Sequence, residues 1–297
     1  MRIVSLLPAA TEIVCALGLA DHLVGVTLEC DWPPEVVGTP VVTRRIDASS
    51  ASETGDRQRL FEIDDAAFAA VRPDLILYGE GTASVAGGPR RLAEAVAAAG
   101  SGAGLLAVAP ASIEGIFHAI VTVGAMTSSE DAALAVVEEL RARLSEIEGL
   151  VQDRRAGGQP PVRVVALDHV DPPFAVGRWV PEQIRRAGGW DLLGRDGGPA
   201  VETSWDAVRE VDPEMIVLLP GALHLQAAVR EWDEAPRPPF WRSLDAVHRG
   251  QVFAADGASY FGRPGPRVIE GIALLAEIFD PDAFEEVSPV GSWTPIV

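Results

Sequence analysis

Lysine and asparagine are absent from this 297-residue chain, so all 24 basic side chains are arginine. Without lysine there is no Schiff-base amine and no phosphate-loop lysine, and without asparagine no N-glycosylation acceptor. Cysteine is nearly absent: Cys15 and Cys30 make neither a disulfide framework nor zinc-site spacing. Cys15 sits in an apolar helical run and reads as a small core residue. No G-x-S-x-G or H-E-x-x-H pattern occurs, and the glycines at 79, 81, 87 and 88 make no dinucleotide fingerprint. No apolar run reaches the length of a membrane span, about 18 residues. Positive charge is scarce: 43 acidic residues against 24 basic give a net charge of −19, which argues against nucleic acid as a partner. The charged-then-apolar leader of a secretory signal is missing too, since Met1 runs straight into a strand-like segment, so a cytoplasmic location is expected.

What the chain does have is apolar material, 48% of its residues, enough for one large domain or two medium ones. Its organising stretch is 128–154, read as one long helix. Ala133, Val137, Leu140, Leu144, Ile147 and Val151 alternate four- and three-residue spacings and line one face. Ser128 and Ser129 are candidate caps, Glu130 and Asp131 suit the first turn, and the Gly/Pro segment 156–161 stops the helix. At about 1.5 Å per residue such a helix spans roughly 35–40 Å, long enough to link two lobes.

On either side, apolar strands alternate with helices. Before the long helix, strands are expected at 2–7, 23–27, 75–80 and 105–109, with helices at 11–19, 64–71, 87–100 and 112–126. Pro8 is read as breaking the first strand, Thr11 as capping the first helix, and 44–58 as an exposed loop. After it, strands are expected at 162–168, 215–220 and 251–255, with helices at 180–187, 204–211, 222–232 and 267–279. The tail 288–297 is expected to lie on the body as an arm or to hang loose. An internal repeat links the halves: Val71-Arg72-Pro73-Asp74-Leu75-Ile76-Leu77 matches Val211-Asp212-Pro213-Glu214-Met215-Ile216-Val217, and residues 1–4 echo 162–165. The pattern predicts an α/β fold of two Rossmann-like lobes with parallel sheets: 1–127, a linking helix 128–156, and 157–297. Ligands in such sheets bind beyond the carboxyl ends of the strands, so a cleft between the lobes is the expected site.

SLLPAATEIVCALGLADHLVGVT, CDWPPEV, VRPDLIL, DPPFAVGRWVPE, VDPEMIVL and GASYFGRPGPR resemble, in order, segments of the helical-backbone (class III) substrate-binding proteins of ABC importers. The nearest branch is the vitamin B12 (cobalamin) binders and their leaderless relatives. The resemblance implies a ligand held between two lobes, a corrinoid or other metal chelate among the candidates. It also implies docking to an ABC permease through an acid on each lobe, Asp64 or Asp65 in the first and Asp206 in the second. Three positions where the cobalamin binders carry aromatics hold Glu29, Arg44 or Arg45, and Ala200. Leu28 and residues 81–85 stand where many leaderless relatives carry a His and a Cys pair, so no metal site built from those residues is expected.

The loop-end residues expected to touch a small-molecule ligand are Ser5, Glu29, Cys30, Trp32, Tyr78 and Glu80 in the first lobe. In the second they are Asp171, Phe174, Arg178, Trp179, Tyr260, Phe261 and Arg263. Arg178 beside Trp179, and Arg263 after Tyr260-Phe261, join cations to flat apolar surfaces, which suits an anionic, ring-bearing ligand. Glu29, Asp31 and Glu80 are the carboxylates for an enzymatic alternative, as acid and base or around a hard cation. Asp168, His169 and His224 also lie at loop ends. Asp168-His169 with Asp171 suggests a metal or proton-transfer pair, but a lone strand-end histidine is more often a hydrogen-bonded structural residue, and His169 is read so.

Overall fold

The computed structural model describes residues 1–45, 61–79, 88–98, 100, 102–285 and 287–296. It divides into two compact units, Met1–Ala109 with Phe117–Val137, and Pro110–Ile116 with Glu138–Val297.

The first unit contains β1 (Ile3–Ser5), α1 (Pro8–Ala16), β2 (Leu23–Gly25), β3 (Thr43–Arg45), β4 (Phe61–Ile63), α2 (Asp65–Val71), β5 (Leu75–Tyr78), α3 (Gly88–Ala98) and β6 (Gly104–Ala107). Its main sheet is wholly parallel with order β2-β1-β5-β6. Both faces of a parallel sheet are covered, so β1 and β5 are continuous apolar runs, with Ile3, Val4, Ile76 and Leu77 fully buried. Pro8 opens α1 instead of only ending the strand: proline's fixed φ and missing N–H cost nothing at a first helical position. The expected loop at 44–58 starts differently, because 43–45 pair antiparallel with Phe61–Ile63; residues 46–58 lie outside the described residues.

Two helices follow, α4 (Ile113–Thr127) and α5 (Glu130–Ala156). They pack closely at Gly124, where a methyl group would lie 2.5 Å from the Ala133 Cβ. The α5 stripe is as the spacing predicts: Ala133, Val137, Leu144, Ile147 and Val151 are buried and Leu140 is half-buried. Ser128, at φ +57°, turns the chain between the helices, and Ser129 supplies the carbonyl that accepts the Ala133 N–H at 3.0 Å. α5 starts in the first unit and ends in the second.

The second unit continues with β7 (Val162–Val170), β8 (Pro173–Ala175), β9 (Gly177–Arg178), α6 (Val180–Arg186), β10 (Gly189–Asp191), β11 (Arg195–Asp196), β12 (Val201–Glu202), α7 (Trp205–Val211) and β13 (Met215–Leu218). It closes with α8 (Leu225–Glu234), α9 (Asp245–His248), β14 (Val252–Ala255), α10 (Gly257–Tyr260), α11 (Val268–Phe279) and β15 (Trp293–Pro295). The parallel core runs β10-β7-β13-β14, the same order as in the first unit, with β8 and β12 added antiparallel on the far half of β7. Of the two expectations for the tail, the structure has it lying on the body, as a strand: β15 pairs antiparallel with β14, and Trp293 packs edge-on against Phe253 at 5.6 Å.

The repeat holds residue by residue. Ile3 pairs with Leu75 and Val4 with Ile76, as Val164 pairs with Met215 and Val165 with Ile216. α2 and α7 are capped alike, by Asp64 on the Ala67 N–H at 3.0 Å and by Ser204 on the Ala207 N–H at 3.1 Å. Both end on a left-handed residue, Arg72 at φ +42° and Asp212 at φ +43°. The two α/β lobes and the long helix expected from the sequence are therefore the architecture of this chain.

Candidate functional site

In a parallel sheet of order 2-1-3-4 the connections leave the first and third strands in opposite directions, opening a crevice at their carboxyl ends. Each unit has this switch point, between β1 and β5 and between β7 and β13.

At the end of β1, Ser5 is fully buried; its hydroxyl donates to the Leu7 carbonyl at 2.9 Å and accepts from Thr11 at 2.8 Å. The Thr11 hydroxyl also lies 3.0 Å from the Cys30 sulfur, and Thr27 sits 3.2 Å from it on another side. Thr11 is therefore not the helix cap expected of it but a link holding the 27–30 loop to α1. Two further bonds fix that loop, Glu29 N–H to Thr27 Oγ1 and Leu28 N–H to Thr43 Oγ1, each 3.2 Å. Glu29, Asp31 and Trp32 are exposed beyond it, and Tyr78 is half-buried against the core around Val4 and Ile76. Glu80 lies outside the described residues, as do 81–85, so the first unit's candidates gathered here are Ser5 and Cys30. Arg44 pairs with Glu62 at 2.9 Å, and Arg45 lies 5.9 Å from the Phe61 ring centroid.

The second unit's edge is richer. Asp168, in the last part of β7, accepts the Gly221 N–H at 2.8 Å. Burial pushes its carboxyl above the usual carboxylate range, opposed by that N–H and by the charges of His169 and Arg178. Arg178 holds a left-handed backbone, φ +57°, rare for a side chain of its size. Gly177 permits this turn, because a methyl group there would fall 2.5 Å from the Gly198 carbonyl oxygen. His169 does not pair with Asp168 or Asp171: its Nδ1 meets Glu231 of α8 at 2.5 Å, with the Phe174 ring 6.5 Å away. Asp171 is exposed on the turn between β7 and β8.

Two of the expected flat surfaces face inward. Trp179 and Phe261 are 3% and 2% exposed. Phe261 lies against α11, where a methyl group on Gly271 would stand 3.4 Å from its ring. Apolar burial outweighs display for side chains of this size when a neighbouring helix offers a glycine. Arg263 is buried as well, while Tyr260 is half-buried under the Arg267 guanidinium at 5.6 Å.

A cluster of which the sequence reading named only His224 lies beyond β13 and β14. His224 Nδ1 is 3.1 Å from both Asp256 carboxylate oxygens and 3.4 Å from the Ser259 hydroxyl. Asp256 also caps α10 through the Ser259 N–H at 2.9 Å. An aspartate at a helix start is a common cap, and that signal marks Asp256 but not Ser259. Acid and hydroxyl thus meet the same ring nitrogen, Nδ1. Among the described residues no three His, Cys, Asp or Glu side chains are grouped to hold a metal ion. The docking candidates sit in first helical turns: Asp64 as the α2 cap, Asp65 paired with Arg91 at 2.6 Å, and Asp206 with Arg209 at 2.8 Å.

This fold has relatives. An uncharacterized ABC transporter substrate-binding lipoprotein of Bacillus subtilis is 26% identical over 289 residues, 96% of this chain and 82% of that protein. The vitamin B12-binding protein of Vibrio cholerae is 24% identical over 273 residues, 91% of this chain and 86% of its own. A periplasmic heme-binding protein of Pseudomonas aeruginosa superposes with a TM-score of 0.73 at 23% identity, covering 95% of this chain and 93% of that one. The family described as periplasmic binding protein matches residues 3–258. With most of its length inside that match, this chain belongs to the periplasmic binding protein family.

Proposed function

We propose that the chain binds a ring-bearing metal chelate, a corrinoid or another tetrapyrrole, at the carboxyl ends of its sheet strands, and hands it to a membrane permease. The observation that carries this reading is the edge of the second unit, where the Asp168 carboxyl feels the Arg178 charge at the end of β7 and His224 meets Asp256 beyond β13, in a family described as periplasmic binding proteins. Relatives named for vitamin B12 and for heme support the ligand class. Arg178 supplies the charge for a peripheral carboxylate of such a ligand, and Tyr260 and Phe174, both half-buried, supply ring surface. Asp65 and Asp206, with side chains 63% and 73% exposed, are the acids open to a permease's cations. The enzymatic alternative gains no support from relatives that are binding proteins by name.

Titration of the full chain with hydroxocobalamin and, separately, with hemin tests the proposal. Binding shifts the ligand's visible spectrum and, at a hundredfold excess over Kd, raises stability by about 2.7 kcal/mol. No spectral or thermal shift with either compound overturns it. Cell fractionation decides between the cytoplasmic location expected above and the side of the membrane on which the lipoprotein and periplasmic relatives work.

A further inference from the structure

A pocket of about 570 Å³ opens in the second unit between the end of α8 and α9, away from every residue assigned above. His248 lies just before β14 and Asp256 just after it, so this pocket and the edge site sit at opposite ends of that strand. Trp232 and Trp241 form its aromatic part, with ring centroids 5.3 Å apart, and Trp205 props Trp241 edge-on at 5.4 Å.

Its charge is positive. Arg237 stacks 4.0 Å over Trp232 and 5.6 Å from Trp241. The guanidinium is pinned there by donating to the Ala235 carbonyl at 2.6 Å and the Trp232 carbonyl at 2.5 Å. A guanidinium has five N–H donors, so this leaves it further capacity beside an aromatic face. Arg242 and His248, both exposed, add two more cationic groups to the lining, against one acid, Asp233. Among the described residues none of these three basic side chains lies within ion-pair distance of a carboxylate. In a chain with a formal charge of −19, acids to pair them are abundant. Asp233 acts on the Arg237 guanidinium but is outnumbered by the three basic groups of the lining, which leaves the pocket suited to an anion. The half-buried Trp241 indole suits a flat ring. The volume falls in the ordinary range for a small organic ligand, roughly 300–1,000 Å³.

We propose that this pocket is a second binding site, for a flat aromatic carboxylate whose ring lies against the half-buried Trp241 and the Arg237 guanidinium stacked on Trp232, and whose charge meets Arg237, Arg242 and His248. The test is calorimetric titration of the full chain with 1-naphthoate, with the neutral 1-naphthalenemethanol as control. Saturable binding of the naphthoate in the micromolar to low millimolar range is expected, with the alcohol at least about tenfold weaker. Arg242→Glu reverses an exposed charge without touching the core and should weaken naphthoate about tenfold at an unchanged melting temperature. Arg237→Lys keeps the charge but loses the planar fork, and should cost about fivefold. Arg178→Ala, at the other end of the unit, should bind naphthoate as the parent does. Absence of saturable binding, equal affinity for the alcohol, indifference to Arg242→Glu, or loss of binding in Arg178→Ala would each overturn the assignment.

Discussion

The backbone N–H of Arg2 donates to the Asp74 carboxylate at 2.7 Å, while the Arg2 guanidinium reaches the Val71 carbonyl at the end of α2. Arg163 repeats this in the second unit, its N–H on Glu214 at 2.9 Å and its guanidinium on the Val211 carbonyl. Each clip ties the entrance of a central strand to the helix end beside it. Asp74→Ala should lower the stability of the first unit by about 1 kcal/mol, and Glu214→Ala that of the second by a similar amount. Urea unfolding checks this; unchanged midpoints in both variants would show that the clips contribute nothing.

The loops around Gly221 and Gly262 touch with no room for a side chain. A methyl group on Gly262 would lie 1.8 Å from the Gly221 carbonyl oxygen, and one on Gly257 would lie 1.9 Å from the Pro220 carbonyl oxygen. Backbone is less able to yield than a flexible side chain, so Gly262→Ala should destabilise the second unit by about 2–4 kcal/mol. Because Gly221 donates to Asp168, the substitution should also weaken ligand binding at that edge. A melting temperature equal to the parent's would refute the close approach.

Burial pushes the Asp191 carboxyl up to about 6, only partly offset by N–H groups of Gly194, Leu193 and Ala166. An acid raised on folding resists ionisation in the folded chain, while the unfolded chain ionises near its ordinary value of 3.8. Its contribution to stability is therefore most favourable below about pH 4, falls between about 4 and 6, and is flat above. The full difference is on the order of 3 kcal/mol. Denaturation curves from pH 4 to 7 should show this loss in the parent and a shallower one in Asp191→Asn. Parallel curves would remove Asp191 as the cause.

Desolvation raises the Cys15 thiol to about 11, with further contributions from Glu35, Cys30 and Glu12. A thiol held that high carries about a hundredfold less thiolate at pH 8 than an ordinary cysteine, and the thiolate is the reactive form. Iodoacetamide labelling followed by peptide mass mapping should find Cys15 modified far more slowly than a free cysteine in the same tube. Labelling at the free rate would contradict the burial.

Periodic features were legible from the chain alone. The α5 stripe follows from spacing, and the repeat at 71–77 and 211–217 from matched apolar strands behind matched helix ends. Features made by contact were not. Residues 173–202 form β8 to β12 in pieces of two or three residues, too short for any period, held where Gly177 meets the Gly198 carbonyl. Pro8 could signal a strand's end or a helix's start, and here it serves as both. Trp179 and Phe261 followed loop-like sequence, but only the packed structure reveals that they turn inward, Phe261 against Gly271. The Trp232–Trp241 pocket draws on residues scattered over α8, α9 and their connection, with no motif to flag it.

β15 brings residues 293–295 onto the open flank of β14, and Ile296 donates its N–H to the Val252 carbonyl at 2.9 Å. The second sheet therefore lacks its outer strand until residues 293–296 are in place. A chain clipped before Trp293 would bare a row of hydrogen-bonding groups that another molecule's strand could adopt as its own. Residues 293–296 are thus a poor stretch to remove, and self-association is the hazard to watch for in any form that lacks them.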